Sequence, residues 1–320
     1  MQIAKPESIY KTFLSFRINE EWMFLNFMSL TSAFSFVRSD VLLSMYTRLQ
    51  LGGKAEFFAE PENESELIAL LQYCHREQIP VHILGTGANV LVPDEGVAGL
   101  VIVLSRPEFS RITVNGNTLT AGGGTKFGQV VTQSVVLGLG GIENLIGIPG
   151  TFGGVLAGNA GTHSGEDIGQ RVVSVRVADF AGKIDAIPAK DITFTYRDSS
   201  LDNVVILSAT LCLEMEDAAE LSKTMQKLWI IKKTQQPNGE MPSVFPFKNV
   251  SDGASASDLI DRAGLKGAKV GGAGISRRNA GFILVEPDCI SADVVRLISL
   301  VKNEVAEISE VELESTLQIW

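Results

Sequence analysis

The sequence predicts an α+β fold, on three observations. Strand, helix and hairpin patterns are mixed along the chain without a regular βα alternation. Three glycine clusters each follow a β pattern, as backbone turns built around a ligand do. The dinucleotide fingerprint with a downstream acid is missing, so a doubly wound sheet is not expected.

Each element has a local reason. Residues 65–79 (SELIALLQYCHREQI) place apolar residues at helical spacing, with Glu64 and Glu66 at the dipole-favoured start. VHILG (81–85) reads as a short buried strand ending at a glycine, and LVIVL (100–104) as another. ITVNGNTLTAGGG (112–124) alternates on both sides of Asn115-Gly116-Asn117 and predicts a β-hairpin. Residues 127–138 read as a helix ending at Gly138. VVSVRVAD (172–179) and KIDAIPA (183–189) form a second hairpin around Ala181-Gly182, and VVILSATLCLEM (204–215) a long strand. Residues 217–233 form an amphipathic helix ending in Lys232 and Lys233. Residues 234–250 are irregular, 255–263 and 292–308 are helical, and the alternating VELESTLQIW closes the chain as a strand.

Composition bounds the function. The 320 residues are 45% hydrophobic and 20% charged, an ordinary globular balance with material for two or three domains. The net charge of −10 argues against nucleic acid or an anionic membrane as partner, without excluding a local basic pocket. Cys74, Cys212 and Cys289 are far apart, and with three scattered histidines they give no disulfide framework and no zinc spacing. A reducing cytoplasm is the expected compartment. Trp22 to Val37 is an apolar run too short for a confident membrane span, and Glu20 and Glu21 stand where a signal peptide wants basic residues. Residues 1–38 are therefore read as an N-terminal extension, with Met28 as a candidate start and a signal anchor as the other reading.

The most informative stretch is 141–165, GIENLIGIPGTFGGVLAGNAGTHSG, with eight glycines in 25 residues. Each glycine costs conformational entropy, so a core element would not carry so many. Leu145, Ile146, Ile148, Phe152, Val155 and Leu156 are too apolar for a solvated linker. Backbone passing close to a phosphate-bearing ligand explains both facts. Gly85-Thr86-Gly87-Ala88-Asn89 and Gly122-Gly123-Gly124 repeat the pattern upstream. Each turn alone reads equally as a tight turn with no ligand; the three together point to a bulky dinucleotide.

Here the residues match a family. LGTGANVLVPDEGVAGLVIVL (84–104), AGGG (121–124), the 141–165 stretch, FTYRDSSL (194–201), FKN (247–249) and AGLKGAKVGGA (263–273) resemble the UDP-N-acetylenolpyruvoylglucosamine reductases, also called UDP-N-acetylmuramate dehydrogenases. YTRLQLGGKAEFFAEP (46–61) resembles their first segment, and the likeness runs in order from about residue 39 to 320. The resemblance implies FAD held in the fold of vanillyl-alcohol oxidase-type flavoproteins, plus a separate α/β substrate-binding domain. It implies reduction of an enolpyruvyl ether on a UDP-sugar in peptidoglycan precursor synthesis, with NADPH as hydride donor. The implied division is an FAD-binding subdomain at 39–106, a second at 107–217 and a substrate-binding domain at 218–320. The chain is expected to be a monomer.

The resemblance carries residues with it. Gly85, Thr86, Gly87, Ala88, Asn89, Gly123, Gly124, Ile148, Pro149, Gly150, Thr151, Gly153, Gly154, Asn159, Ala160 and Gly161 would hold FAD, with Ala88 where the family has serine. Lys233, Lys248 and Asn249 would contact the UDP-sugar; a solvated helix end is the other reading for Lys232 and Lys233. Arg197 matches the arginine that stabilises the enolate-like intermediate, for which a planar fork of donors suits carboxylate and enolate oxygens. A strand-end salt bridge is its other reading. The proton-donor register falls on Phe245, which has no acidic proton, and the glutamate register falls on Thr316. Ser243 and Glu314 each lie two residues before these positions, on the same face of an extended chain but about 6–7 Å away. They are the stand-in donor and acid. Asn279 holds the place of a family histidine. The expected function is therefore the family reduction, weakened or lost. A catalytically inactive flavin or UDP-sugar binder and a different flavin oxidoreductase on the same scaffold stand beside it.

Overall fold

The computed structural model describes residues 30–162, 165–237, 241–250 and 254–320. Met28 and the run before Leu30 lie outside them. Residues within that apolar run are core material. Leu30 and Val37 are buried, and Phe34 and Phe36 pack with them against Leu67, Leu70 and Leu71.

The first subdomain is a four-stranded sheet backed by one helix. Its elements are β1 (Val37–Leu42), β2 (Lys54–Ala59), α1 (Glu64–Arg76), β3 (Val81–Ile83), the short β4 (Val90–Leu91) and β5 (Val97–Ile102). The sheet order is β1-β2-β5-β3, antiparallel at β1/β2 and parallel elsewhere. Helix α1 starts where Asn63 accepts from the Glu66 N–H, and it buries Leu67, Leu70, Leu71 and Cys74. That is the i, i+3, i+4, i+7 stripe visible in the sequence.

The second subdomain is an antiparallel sheet ordered β10-β9-β13-β7-β6. Its hairpin β6 (Ile112–Asn115) and β7 (Thr118–Gly122) leads to α2 (Phe127–Val136), β8 (Leu139–Gly140) and α3 (Phe152–Ala157). The long hairpin β9 (Val172–Asp179) and β10 (Ile184–Pro188) follows. Then come the small hairpin β11 (Phe194–Thr195) and β12 (Asp198–Ser199), and β13 (Val204–Cys212) with its extension β14 (Glu214–Met215) paired to β8. Helix α4 (Ala218–Gln235) is capped by Asp217, which accepts from the Ala219 and Glu220 N–H groups. It packs on α2, and its Met225 joins the core of this subdomain.

The third unit pairs β15 (Ser243–Val244), β18 (Ile283–Val285), β17 (Ala273–Ile275) and β16 (Lys269–Val270) in that order. Helices α5 (Ala256–Arg262) and α6 (Ser291–Ser309) cover it. Its core includes Leu49, Leu51 and Leu91 of the first subdomain, so the two units share buried surface.

The expected closing strand is instead two short pairings with different partners. Residues 314–316 run antiparallel to 246–248, where Lys248 N–H donates to Glu314 and Thr316 N–H donates to Pro246. Then β19 (Gln318–Ile319) pairs parallel with β4. The alternation marks extended backbone, but one straight strand cannot serve two partners that diverge.

Candidate active site

A cleft of about 940 Å³ opens where the three units meet. That is the upper end of the range for ligand pockets, a size that suits a dinucleotide. All three glycine clusters reach it, with the Tyr196-Arg197 turn, the 243–249 segment and the end of the chain. Among the described residues, Arg48, Lys126, Arg197 and Lys232 line it, against one carboxylate side chain, that of Asp202, in a chain of net charge −10. The cleft is therefore a local basic pocket in an acidic protein, suited to anions.

The side where the sequence leads one to expect the cofactor is made of backbone. Among the described residues, the N–H groups of Gly85, Thr86, Gly87, Ala88 and Asn89 meet no protein acceptor. Five consecutive donors at a cleft wall form a concavity for an anion. Gly87 has φ +59, and a Cβ there would lie 2.5 Å from Thr47 Cα. Gly123 and Gly124 serve contact between chain segments: a Cβ on either would fall on a carbonyl oxygen, that of Ile206 or of Leu104. Their approach lets the Gly153 N–H donate to Gly123 at 2.8 Å. Gly147, Gly150, Gly154 and Gly158 differ, since a Cβ there would meet nothing closer than 3.4 Å and would use up cleft space. This bare-walled cradle with unmatched donors fits a diphosphate-bearing cofactor.

Arg197 sits in the turn between β11 and β12 with φ +61, a left-handed conformation that costs a non-glycine residue about 1 kcal/mol or more. The hairpin is held to the glycine-rich loop. The Asn159 amide donates to the Thr195 carbonyl at 2.7 Å and accepts from the Gly169 N–H at 3.0 Å, and Ser199 Oγ donates to Ala157 at 2.8 Å. Asn159 is buried and does not line the cleft, so the expected cofactor contact is instead the bolt of the loop.

The lysines divide against expectation. Lys232 turns inward, its Nζ donating to the carbonyls of Asn144 and Ile146. Burial, with the Arg197 charge nearby, lowers its pKa, and Glu166 opposes the shift. Lys233 does not line the cleft; its Nζ lies 4.8 Å from the Trp229 ring centre. Consecutive helix positions point about 100° apart, so only one of the pair can face inward. Lys248 also lies off the cleft, in an ion pair with Glu314 at 3.0 Å.

The stand-in acid is thereby displaced. The Glu314 side chain is 72% exposed and does not reach the cleft, whereas Thr316 does. Ser243 lines the cleft but is 8% exposed, and its carbonyl accepts from Arg48 Nε at 3.0 Å. Phe245 lines the cleft beside Phe282, ring centres 5.3 Å apart, in a notch that exists because residue 281 is glycine. Asn249 lines the cleft, its Oδ1 accepting from Ala256 N–H at 2.9 Å. Asn279 Oδ1 accepts from Ser257 Oγ at 2.6 Å and from the Gly281 N–H at 3.0 Å. Asn89, beyond its backbone, ties down the chain end: its Nδ2 donates to Thr316 at 2.6 Å.

Arg48, His82, Lys126 and Trp320 were not anticipated. The His82 and Trp320 rings lie 4.9 Å apart, tilted by 35°, and burial lowers the His82 pKa despite an opposing backbone bond at Ala98. Burial and the neighbouring Asp198 raise that of Asp202. Among the described residues no cluster of His, Cys, Asp and Glu could hold a metal, and no helix is long and apolar enough to cross a membrane.

Comparison with known proteins agrees with this geometry. A family model described as FAD binding domain matches residues 55–186, and one described as UDP-N-acetylenolpyruvoylglucosamine reductase, C-terminal domain, matches 236–320. The chain is 36% identical to the UDP-N-acetylenolpyruvoylglucosamine reductase of Rhodopirellula baltica, covering 85% of this chain and 88% of that one. It is 35% identical to the enzyme of that name from Moorella thermoacetica, covering 87% and 91%. The crystal structure of UDP-N-acetylenolpyruvylglucosamine reductase from Thermus caldophilus superposes with a TM-score of 0.76 at 32% identity, covering 89% of this chain and all of that one.

Proposed function

The chain belongs to the UDP-N-acetylenolpyruvoylglucosamine reductase family, and from that premise we propose how its own residues serve the reaction. The protein is an FAD-dependent oxidoreductase. It reduces the enolpyruvyl ether of UDP-N-acetylglucosamine enolpyruvate to UDP-N-acetylmuramate with NADPH as hydride donor, in peptidoglycan precursor synthesis. The observation that carries the reading is the row of unmatched N–H groups from Gly85 to Asn89, in the same cleft as Arg197.

FAD, when bound, supplies the two-electron redox chemistry. Gly85–Asn89 would hold its diphosphate through backbone donors, and the open wall at Gly147, Gly150, Gly154 and Gly158 leaves it room. Arg197 offers a rigid fork to the carboxylate and the developing enolate oxygen of the substrate, an interaction that strengthens as charge builds. Lys232 keeps the 144–146 segment in place beside it. Asn249 faces the UDP-sugar. A proton must then reach the neighbouring carbon, and neither Phe245 nor Thr316 supplies an acid. Ser243 and Thr316 are the hydroxyls at this wall, and Ser243, two residues from Phe245, is the stand-in donor.

The rate is accordingly low in this reading. A second reading, a flavin or UDP-sugar binder without turnover, is favoured by the Lys248–Glu314 pair, which keeps the carboxylate out of the cleft. Anaerobic mixing of pre-reduced holoenzyme with the enolpyruvyl UDP-sugar separates the two. Reoxidation faster than in its absence is the expected result, and equal rates would overturn the reductase assignment. We further propose a cytoplasmic monomer in which the two FAD-binding subdomains span 39–106 and 107–217, with α4 riding on the second.

A further inference from the structure

Arg48 stands at a junction that the reaction described above does not yet use. Its backbone N–H donates to the Gly87 carbonyl at 3.0 Å, and the Thr47–Gly87 approach fixes this stretch against the cofactor turn. Its side chain reaches across to the third unit, where Nε donates to the Ser243 carbonyl, 195 residues away in sequence. Residue 48 is thus anchored at its backbone and at Nε, and its side chain lines the cleft against Ser243, two residues before Phe245. Its two terminal nitrogens meet no acceptor among the described residues, and the Asp202 carboxylate that also lines the cleft pairs with neither. A fixed cation with a planar face of unmatched donors is built for a carboxylate or phosphate.

Two anionic groups could meet it, a diphosphate or the enolpyruvyl carboxylate. The tether at Ser243 favours the second, because it holds the guanidinium beside the position where the family protonates the enolpyruvyl carbon. We propose that Arg48 binds the carboxylate of the enolpyruvyl group and sets specificity for that substituent, in the same cleft as Arg197. This rests on the reductase reading. It gives the reacting half of the cleft a positive charge contributed by the first subdomain, where Phe245 and Thr316 contribute none.

The test is calorimetric titration of FAD-loaded protein with two ligands, UDP-N-acetylglucosamine enolpyruvate and UDP-N-acetylglucosamine. They share the diphosphate and differ in the enolpyruvyl group that carries the carboxylate. Arg48→Gln should weaken the first by about 10- to 100-fold, the worth of charge-assisted hydrogen bonds, and leave the second within about twofold, since its diphosphate contacts are untouched. Arg48→Lys, which keeps the charge but loses the fork, should show a smaller loss on the first ligand alone. Equal losses on both ligands would assign Arg48 to a diphosphate and overturn the proposal, as would no change on either. The readout needs no turnover, so a slow enzyme does not blur it. Wild-type protein that binds neither ligand would sink the reductase reading and this assignment with it. Wild-type binding without discrimination by Arg48 would sink only the latter.

Discussion

The two halves of the cleft are made of different material. The cofactor half is backbone: turns at 85–89 and 123–124 and the loop at 147–161, where side chains matter mainly by being absent. The half proposed to hold the reacting substrate is side chain: Arg197, Arg48, Phe245, Thr316 and Asn279. A backbone site tolerates a changed side chain such as Ala88, because the N–H donors persist, but it does not tolerate a Cβ where chain segments touch. A side-chain site behaves oppositely, keeping its shape while one replacement removes its chemistry.

The largest expected effect tests the first half. Gly124→Ala puts a Cβ onto the Leu104 carbonyl oxygen, and backbone cannot step aside cheaply. Destabilisation of about 3 kcal/mol, the upper end for overpacking, should appear as a lower melting temperature and a reduced flavin-to-protein absorbance ratio. A variant that keeps both would show that this approach is slack. Next comes Arg197→Lys, which should hold FAD fully yet lower kcat by about 10²-fold, as loss of one transition-state donor does. Co-loss of FAD would place Arg197 in the cofactor half instead. Phe245→Ser combined with Thr316→Glu sharpens the contrast from the other side. Turnover should rise by about tenfold or more as an acid returns to the donor register, against a stability loss of about 2 kcal/mol from the vacated notch. Unchanged turnover would move the donor elsewhere.

The smallest effect lies outside the cleft. Arg176 on β9 holds Glu64 at the start of α1 through two bonds of 2.5 and 2.7 Å, tying the first and second sheets together. The bond to Arg176 lowers the Glu64 pKa below its ordinary 4.5, more than burial raises it. A depressed carboxylate contributes stability above its unfolded value and loses it as pH falls through the folded one. Arg176→Met should therefore cost about 0.5 kcal/mol at neutral pH, as partly exposed pairs do. In urea unfolding that difference should vanish once the carboxylate is protonated, and a difference surviving into acid would refute the ionic origin.

The same contrast explains what the sequence could and could not disclose. Helix α1, the 112–122 hairpin and the three glycine clusters are local patterns, and local backbone preference places them. The placement of Glu314, Lys233, Lys248 and Asn159 depends on which partner each side chain meets. Glu314 follows Lys248 because 314–316 pairs with 246–248, a nonlocal register that alternation alone does not specify. Lys232 and Lys233 are indistinguishable until α4 is docked on α2. Arg48 gave no signal at all, since its partner Ser243 enters from another unit. The N-terminal apolar run was legible as apolar, but not as a supplier of Leu30 and Val37 to the core.

One small feature has a thermodynamic reach. The Asn159 amide joins the 147–161 loop to the backbone of the Arg197 hairpin. A ligand that restricts that loop would restrict the hairpin with it, because one side chain ties the two. In the reading proposed for this cleft, holding the cofactor and holding Arg197 in place would then draw on the same hydrogen bonds.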